Sequence, residues 1–333
     1  MKKILFILCF PLVVFSQQTI HDSILHNNVY REYVVYVPSI YNASVSTPLL
    51  FNLHGRTSNS YAAMYHADFR DIADTANFII VHPQGLIDTT GVTHWNIGQS
   101  TVDDIGFLSS LYSQLVSNYN INIDQVYSTG MSNGGYMSYY LACNMSDNIA
   151  GIASVTGAMS SYTQLFCNPT HPTPVMEIHG TNDPIVPFTS IIQGIEYWRD
   201  YNNCNVIADT TAIPDLVLGD LSTVEHIVYN NGDNGVTTEL FKIINGEHTW
   251  PGSNFASGVN NHDINASVEI WKFFSRYDIN GHINTSTMIN EHHIDNKQLI
   301  KIIDLLGREV DEKKNMLLFY IYSDGSIKKR IIY

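Results

Sequence analysis

The stretch STGMSNGGYMS, Ser128 to Ser138, centres a G-x-S-x-G pattern on Ser132, between Gly130 and Gly134. Its reading decides the fold. The run QVYSTG before it is short, apolar and closed by glycine, as a buried strand would be, whereas NGGYMSYYLACNM after it reads as a helix whose small residues permit close packing on a sheet. A serine on so sharp a strand-to-helix turn is lifted above the sheet, and the Asn133 amide then points from a helix N-terminus toward any developing negative charge. The competing reading is a small polar residue in an ordinary turn.

Outward from this turn the chain alternates strand-like and helix-like segments. REYVVYVP (Arg31 to Pro38), PLLFNLHG (Pro48 to Gly55), FIIVHPQG (Phe78 to Gly85), IAGIASVTG (Ile149 to Gly157) and PVMEIHG (Pro174 to Gly180) are short runs rich in large apolar residues. Such runs suit strands buried on both faces. In DDIGFLSSLYSQLVSNY from Asp103, Ile105, Leu108, Leu111 and Leu115 recur at helical spacing behind an aspartate suited to capping. The alternation predicts an α/β fold with a mostly parallel central sheet flanked by helices.

A nucleophilic serine needs a base, an acid that orients the base, and donors for an oxyanion. In IHGTNDPIVPF, Asp183 follows a buried strand and Pro184 prevents that strand from continuing. Asn182 cannot supply the charge, so Asp183 is the candidate acid, against the alternative of a simple turn former. Of the 14 histidines, His248 in FKIINGEHTWPG comes after the last strand of the body. It completes the chain order serine, aspartate, histidine of the α/β-hydrolases. The second oxyanion donor is expected in LHGRTSN, as the Arg56 amide or alternatively that of Thr57, with Gly55 permitting the turn. No metal or organic cofactor is implied, since the histidines and cysteines show no ligand spacing such as H-E-x-x-H or paired C-x-x-C.

Composition bounds the rest. Residues 1–16 carry Lys2 and Lys3, an apolar run and Ser16, the pattern of an export signal. No later segment holds the roughly 18 uninterrupted apolar residues of a membrane span. Cys143, Cys167 and Cys204 then remain; in an oxidising compartment Cys143 with Cys167 is the favoured disulfide, the alternative being three buried thiols. Residues 17–295 hold 26 acidic against 7 basic side chains, whereas residues 296–333 hold 5 against 8. So acidic a body offers no face to a nucleic-acid backbone. A polar connector is expected at 279–296, and after it LIKIIDLLG, LLFYIYSDGS and IKKRIIY read as three strands with a tight turn at Asp324–Gly325.

Together LHGRTSN, HWNIGQSTVDDIGFL, STGMSNGGYMS, IHGTNDPIVPF and NGEHTWPG resemble the secreted polyhydroxybutyrate-depolymerase and carbohydrate-esterase branch of the α/β-hydrolases, which includes feruloyl and acetylxylan esterases. The resemblance implies a serine esterase over 17–278 with Ser132 as nucleophile, Asp183 as orienting acid, His248 as general base, and an ester on a polysaccharide or polyester as substrate. It also suggests Trp95 as a wall of the substrate cleft, with a core position as the alternative, and the loop of Trp250 as another contributor. Relatives carry a cysteine near Asn230 that is absent here, which leaves Cys204 unpaired. Residues 297–333 resemble a shortened type IX secretion sorting domain, implying the type IX machinery as partner. A serine peptidase and a non-catalytic surface binding protein are the rival readings.

Overall fold

The computed structural model describes residues 17–255, 257–283, 299–303, 308–311, 317–322 and 327–331. They fall into two units divided after Ile283. Residues 1–16 and 284–296, which hold the expected export signal and most of the expected connector, lie outside the described residues.

The first unit is organised by a ten-stranded sheet: β1 (Gln18–His26), β2 (Val29–Val37), β3 (Thr47–Leu53), β4 (Ile79–Pro83), β5 (Ile121–Met131), β6 (Gly151–Val155), β7 (Val175–Gly180), β8 (Asp209–Ile213), β9 (Thr223–Tyr229) and β10 (Thr238–Ile244). Their spatial order is β1-β2-β4-β3-β5-β6-β7-β10-β9-β8. The six central strands, β4 to β10 in that order, pair in parallel. Every residue of β4, β6 and β7 is buried, so their apolar runs are continuous rather than alternating. The edges are antiparallel hairpins. Asn27 and Asn28, both at positive φ, form the two-residue turn joining β1 to β2.

Helices α1 (Ser60–His66), α2 (Arg70–Ala76), α3 (Asp104–Asn118), α4 (Asn133–Asn144), α5 (Ser161–Leu165), α6 (Thr189–Tyr201) and α7 (Ala266–Phe274) follow in chain order. Leu49 and Phe51 of β3 face a core built with Phe107, Leu111 and Leu115 of α3 and Met137 and Leu141 of α4. Leu50, one residue out of phase, faces the opposite core with Ile270, Phe273 and Phe274 of α7, as the period of a strand requires. Asp103 caps α3 by accepting the Gly106 N–H at 2.8 Å. Next to it Asp104 forms a buried ion pair with Arg31 of β2 at 2.6 Å and accepts the Asn96 N–H at 2.7 Å, which ties the loop before α3 to the sheet. A disulfide joins Cys143 of α4 to Cys167, and Cys204 is a buried free thiol.

The polar stretch from residue 279 does not begin a connector. Tyr277–Asp278 pairs antiparallel with Gly281–His282, Ile279 N–H donates to Asp124 O at 2.8 Å, and Ile283 N–H to Arg276 O at 2.8 Å. A tight hairpin and a linker share the same polar, glycine-bearing composition, so the first unit extends to 283. The second unit contains β11 (Leu299–Ile303), β12 (Leu317–Tyr322) and β13 (Ile327–Ile331) in one antiparallel sheet. The turn expected at Asp324–Gly325 lies outside the described residues. Among the described residues no helix is long and apolar enough to cross a membrane.

Candidate active site

Strand β5 leads directly into α4 through Ser132, whose backbone adopts φ 54° and ψ −119°. A side-chain-bearing residue rarely takes such a conformation, which costs roughly 1–3 kcal/mol. Two hydrogen bonds hold it: Ser132 N–H to Val155 O at 2.8 Å, and Tyr136 N–H to Ser132 O at 3.0 Å. The flanking glycines are required by crowding. A Cβ on Gly134 would lie 2.1 Å from Leu53 O, and one on Gly130 2.5 Å from the same atom. The G-x-S-x-G spacing thus lets α4 and the end of β3 approach with nothing but backbone between them.

Asp183 and His248 follow neighbouring parallel strands, β7 and β10. Asp183 Oδ1 accepts the N–H groups of Ile185 and Val186 at 2.8 and 2.9 Å, and its Oδ2 lies 2.7 Å from His248 Nδ1. Burial pushes this carboxyl up, but the His248 ring and the two amides outweigh it and leave Asp183 below the usual carboxylate range. An ionised carboxylate only accepts, so Nδ1 of His248 carries the hydrogen and Nε2 is left as the basic nitrogen. Ser132 and His248 line one cavity of about 220 Å³, together with His54, Gly55, Arg56 and His66.

The loop after β3 separates the two candidates for the second oxyanion donor. Thr57 N–H is committed to Thr93 O at 2.9 Å, whereas among the described residues no protein acceptor takes the N–H of Arg56 or of Asn133. The Arg56 side chain is half exposed and bonds Asp88 at 2.8 Å and Thr90 at 3.1 Å. His54 anchors the loop. Its Nδ1 donates to Gly55 O at 2.7 Å and its Nε2 accepts the Gly85 N–H at 2.9 Å, a neutral tautomer consistent with burial pushing the ring down.

Neither tryptophan ring lines the cavity of Ser132 and His248; Trp95 takes the core position that was the alternative for it, and the loop of Trp250 contributes through His248. Trp95 is 1% exposed; its indole N–H donates to His54 O at 2.9 Å, and Asn133 clasps its backbone, Oδ1 accepting Trp95 N–H at 2.6 Å and Nδ2 donating to Trp95 O at 3.2 Å. Its place is in the core, behind the loop of Gly55. Trp250, also 1% exposed, packs edge-on against Phe69 and donates to Ser267 Oγ at 3.2 Å. It borders a hollow with Tyr65, Asp68 and Phe255 that adjoins the cavity of Ser132 and His248 at His66. In both cases burying the ring's apolar area while satisfying its single donor outweighs display toward a ligand. His66, the last residue of α1, does line the cavity, and burial followed by the nearby His248 pushes its ring down. SYAAMYH carries no signal that distinguishes it from an ordinary amphipathic helix. Among the described residues no group of three or more His, Cys, Asp or Glu side chains is arranged to hold a metal ion.

A sequence signature of the phospholipase/carboxylesterase family matches residues 97–214. The chain is 28% identical over 275 residues to the bifunctional acetylxylan esterase/xylanase XynS20E of Neocallimastix patriciarum, a match covering 81% of this chain and 36% of that protein. It is 24% identical to feruloyl esterase C of Emericella nidulans, over 66% of this chain and 82% of that one. The chain therefore spans about a third of the length of the first relative and most of the second. Among solved structures, the acetyl xylan esterase from Aspergillus awamori superposes with a TM-score of 0.57 at 15% identity, over 78% of this chain and 99% of that one. The first unit has the α/β-hydrolase fold.

Proposed function

We propose that the chain is a serine carboxylic-ester hydrolase that works through an acyl-enzyme on acetyl or feruloyl esters of plant polysaccharide. The observation that carries this reading is the Asp183–His248 hydrogen bond beside a cavity that Ser132 also lines from a strained turn. His248 Nε2 takes the Ser132 proton as Oγ attacks the ester carbonyl, and the Asn133 and Arg56 amides receive the oxyanion. Collapse of the tetrahedral adduct breaks the bond to the alcohol, which leaves with the proton from His248. Water then repeats the sequence on the acyl-serine and releases the carboxylic acid. The acetylxylan and feruloyl esterases similar to the chain support the choice of acyl group.

Residues 1–16 are assigned to export and the second unit to secretion sorting. The antiparallel sheet of that unit and the excess of basic residues over 296–333, 8 against 5, opposite to the acidic first unit, support the assignment.

The test is fluorophosphonate labelling together with a substrate panel on wild type and Ser132→Ala. Labelling at Ser132, release of acetate or ferulate from xylan, and a loss of roughly 10⁶-fold in turnover on substitution are expected. Unlabelled, inactive wild-type protein would overturn the enzyme reading. Faster cleavage of peptide anilides than of esters would replace the esterase with a peptidase, and preferential release of hydroxybutyrate from polyester would replace the polysaccharide.

A further inference from the structure

Strand β7 carries a second buried acid–imidazole pair, two residues apart and therefore on one face. His179 Nδ1 lies 2.9 Å from Glu177 Oε1, while its Nε2 lies 2.8 Å from Val186 O and 3.5 Å from Asp183 Oδ2. The side chains of Glu177, His179 and Asp183 are wholly buried. A carbonyl oxygen only accepts, so Nε2 bears a hydrogen. Glu177 Oε2 already accepts the Tyr139 hydroxyl at 3.1 Å, and Asp183 adds a negative charge on the far side of the ring. Between these acceptors the second proton belongs on His179.

The same contacts pin a turn. Val186 donates its N–H to Asp183 Oδ1 and accepts from His179 through its carbonyl, so the orienting acid and the ring behind it share one residue's backbone. We infer that His179, kept charged by Glu177, is a positioning residue that fixes the Asp183–Val186 turn and supports the ionised Asp183 at Oδ2, the oxygen that also meets His248. The inference rests on the reading of Ser132, His248 and Asp183 as a catalytic set. Burial alone would push the His179 ring down; Glu177, the Val186 carbonyl and Asp183 outweigh it and hold the ring above its ordinary range, while burial also pushes the Glu177 carboxyl up against the pull of His179 and Tyr139. The groups facing the ring are Glu177 from β7, Tyr139 from α4, Asp183 from the turn and the uncharged Phe188 ring, with Tyr136 near both carboxylates and His248 beyond Asp183.

A cation behind Asp183 disfavours a second positive charge on His248. Its removal lets His248 take up a proton more readily, so the acid limb of kcat/KM moves to higher pH. In the full chain, Glu177→Gln keeps the shape and permits a neutral ring still donating to Val186, whereas His179→Gln removes the ring. Both variants are expected to lose roughly 10- to 100-fold in kcat with KM on a small ester little changed. Their acid limb rises by about half a pH unit or more, and fluorophosphonate labelling slows but reaches the wild-type end point. Unchanged kcat, acid limb and labelling rate would overturn the inference even if thermal stability fell, leaving a purely structural pair. Failure of wild type to label would instead defeat the esterase reading. If neither variant folds, nitrogen-15 NMR of histidine-labelled wild type decides: a buried ring with both nitrogens protonated is expected at about pH 8, and its absence overturns the proposal.

Discussion

Gly134→Ala tests whether close backbone approach sets the candidate oxyanion geometry. The added methyl would sit 2.1 Å from Leu53 O, 2.7 Å from Leu53 C and 2.8 Å from His54 O, where ordinary contact begins at 3.4 Å. All three neighbours are backbone atoms, so no rotamer relieves the clash. The first turn of α4 and the end of β3 must part by about 1.3 Å, the difference between 3.4 and 2.1 Å. That seam separates the Asn133 amide from the loop carrying the Arg56 amide, and a displacement of about 1 Å between reacting groups costs on the order of 100-fold in rate. Overpacking adds about 1–3 kcal/mol of destabilisation. The assay is kcat on p-nitrophenyl acetate with melting temperature alongside, and Gly219→Ala as control, because a Cβ there meets nothing within 4 Å. We expect a loss of roughly 100-fold in kcat and a melting point lower by several degrees, with the control unchanged. A Gly134→Ala enzyme with wild-type kcat and stability would refute the reasoning, since the backbone would then yield without moving a donor.

Two further predictions concern stability. Replacing Cys143 and Cys167 by serine releases a loop of 24 residues in the unfolded chain, which the chain-entropy relation values at about 3.5 kcal/mol; calorimetry should show the double variant melting lower by roughly 7–14 °C, and equal melting points would count against the bridge. His82 is fully buried and neither ring nitrogen has a partner, and burial lowers its pKa from 6.5 to about 3. Between those values the unfolded chain binds a proton that the folded one does not, so stability falls as pH drops from 6.5 toward 3. His82→Leu sacrifices no hydrogen bond and should flatten urea midpoints across that window, whereas an unaltered pH dependence would show that His82 takes no part in acid unfolding.

Strands β3, β4, β6 and β7 were legible because parallel strands covered on both faces read as largely apolar runs. Strands β1, β8 and β9 were not. QTIHDSILH and DTTAI are largely exposed edge strands, and TVEHIVY is only half-buried, so polar residues on their open faces hide the pattern. At the site, chain order singled out Ser132, Asp183 and His248, but not the partners that decide individual roles. Trp95 faces inward because its indole finds His54 O, 41 residues away, and Trp250 because it finds Ser267, 17 residues on. Thr57 differs from Arg56 in taking φ 69° and in having its amide claimed by Thr93, far off in sequence. Glu177 and His179 read as core positions of MEIHG, since nothing local announces that Val186 and Asp183 will fold back over them.

Asn133 links these observations. Its amide is one candidate oxyanion donor, and its side chain does a separate job, grasping the Trp95 backbone through two hydrogen bonds. The Trp95 indole in turn holds His54 O, one residue before Gly55 and two before the other candidate donor, Arg56. Two amides from elements far apart in sequence are thus linked to one another by three hydrogen bonds through a buried tryptophan. Preorganised donors stabilise developing charge because they need no rearrangement when it appears. A tryptophan withdrawn from the cavity therefore serves that end better than one lining it: a ring on the wall would follow each substrate, whereas a ring in the core keeps the spacing of the two amides independent of what is bound.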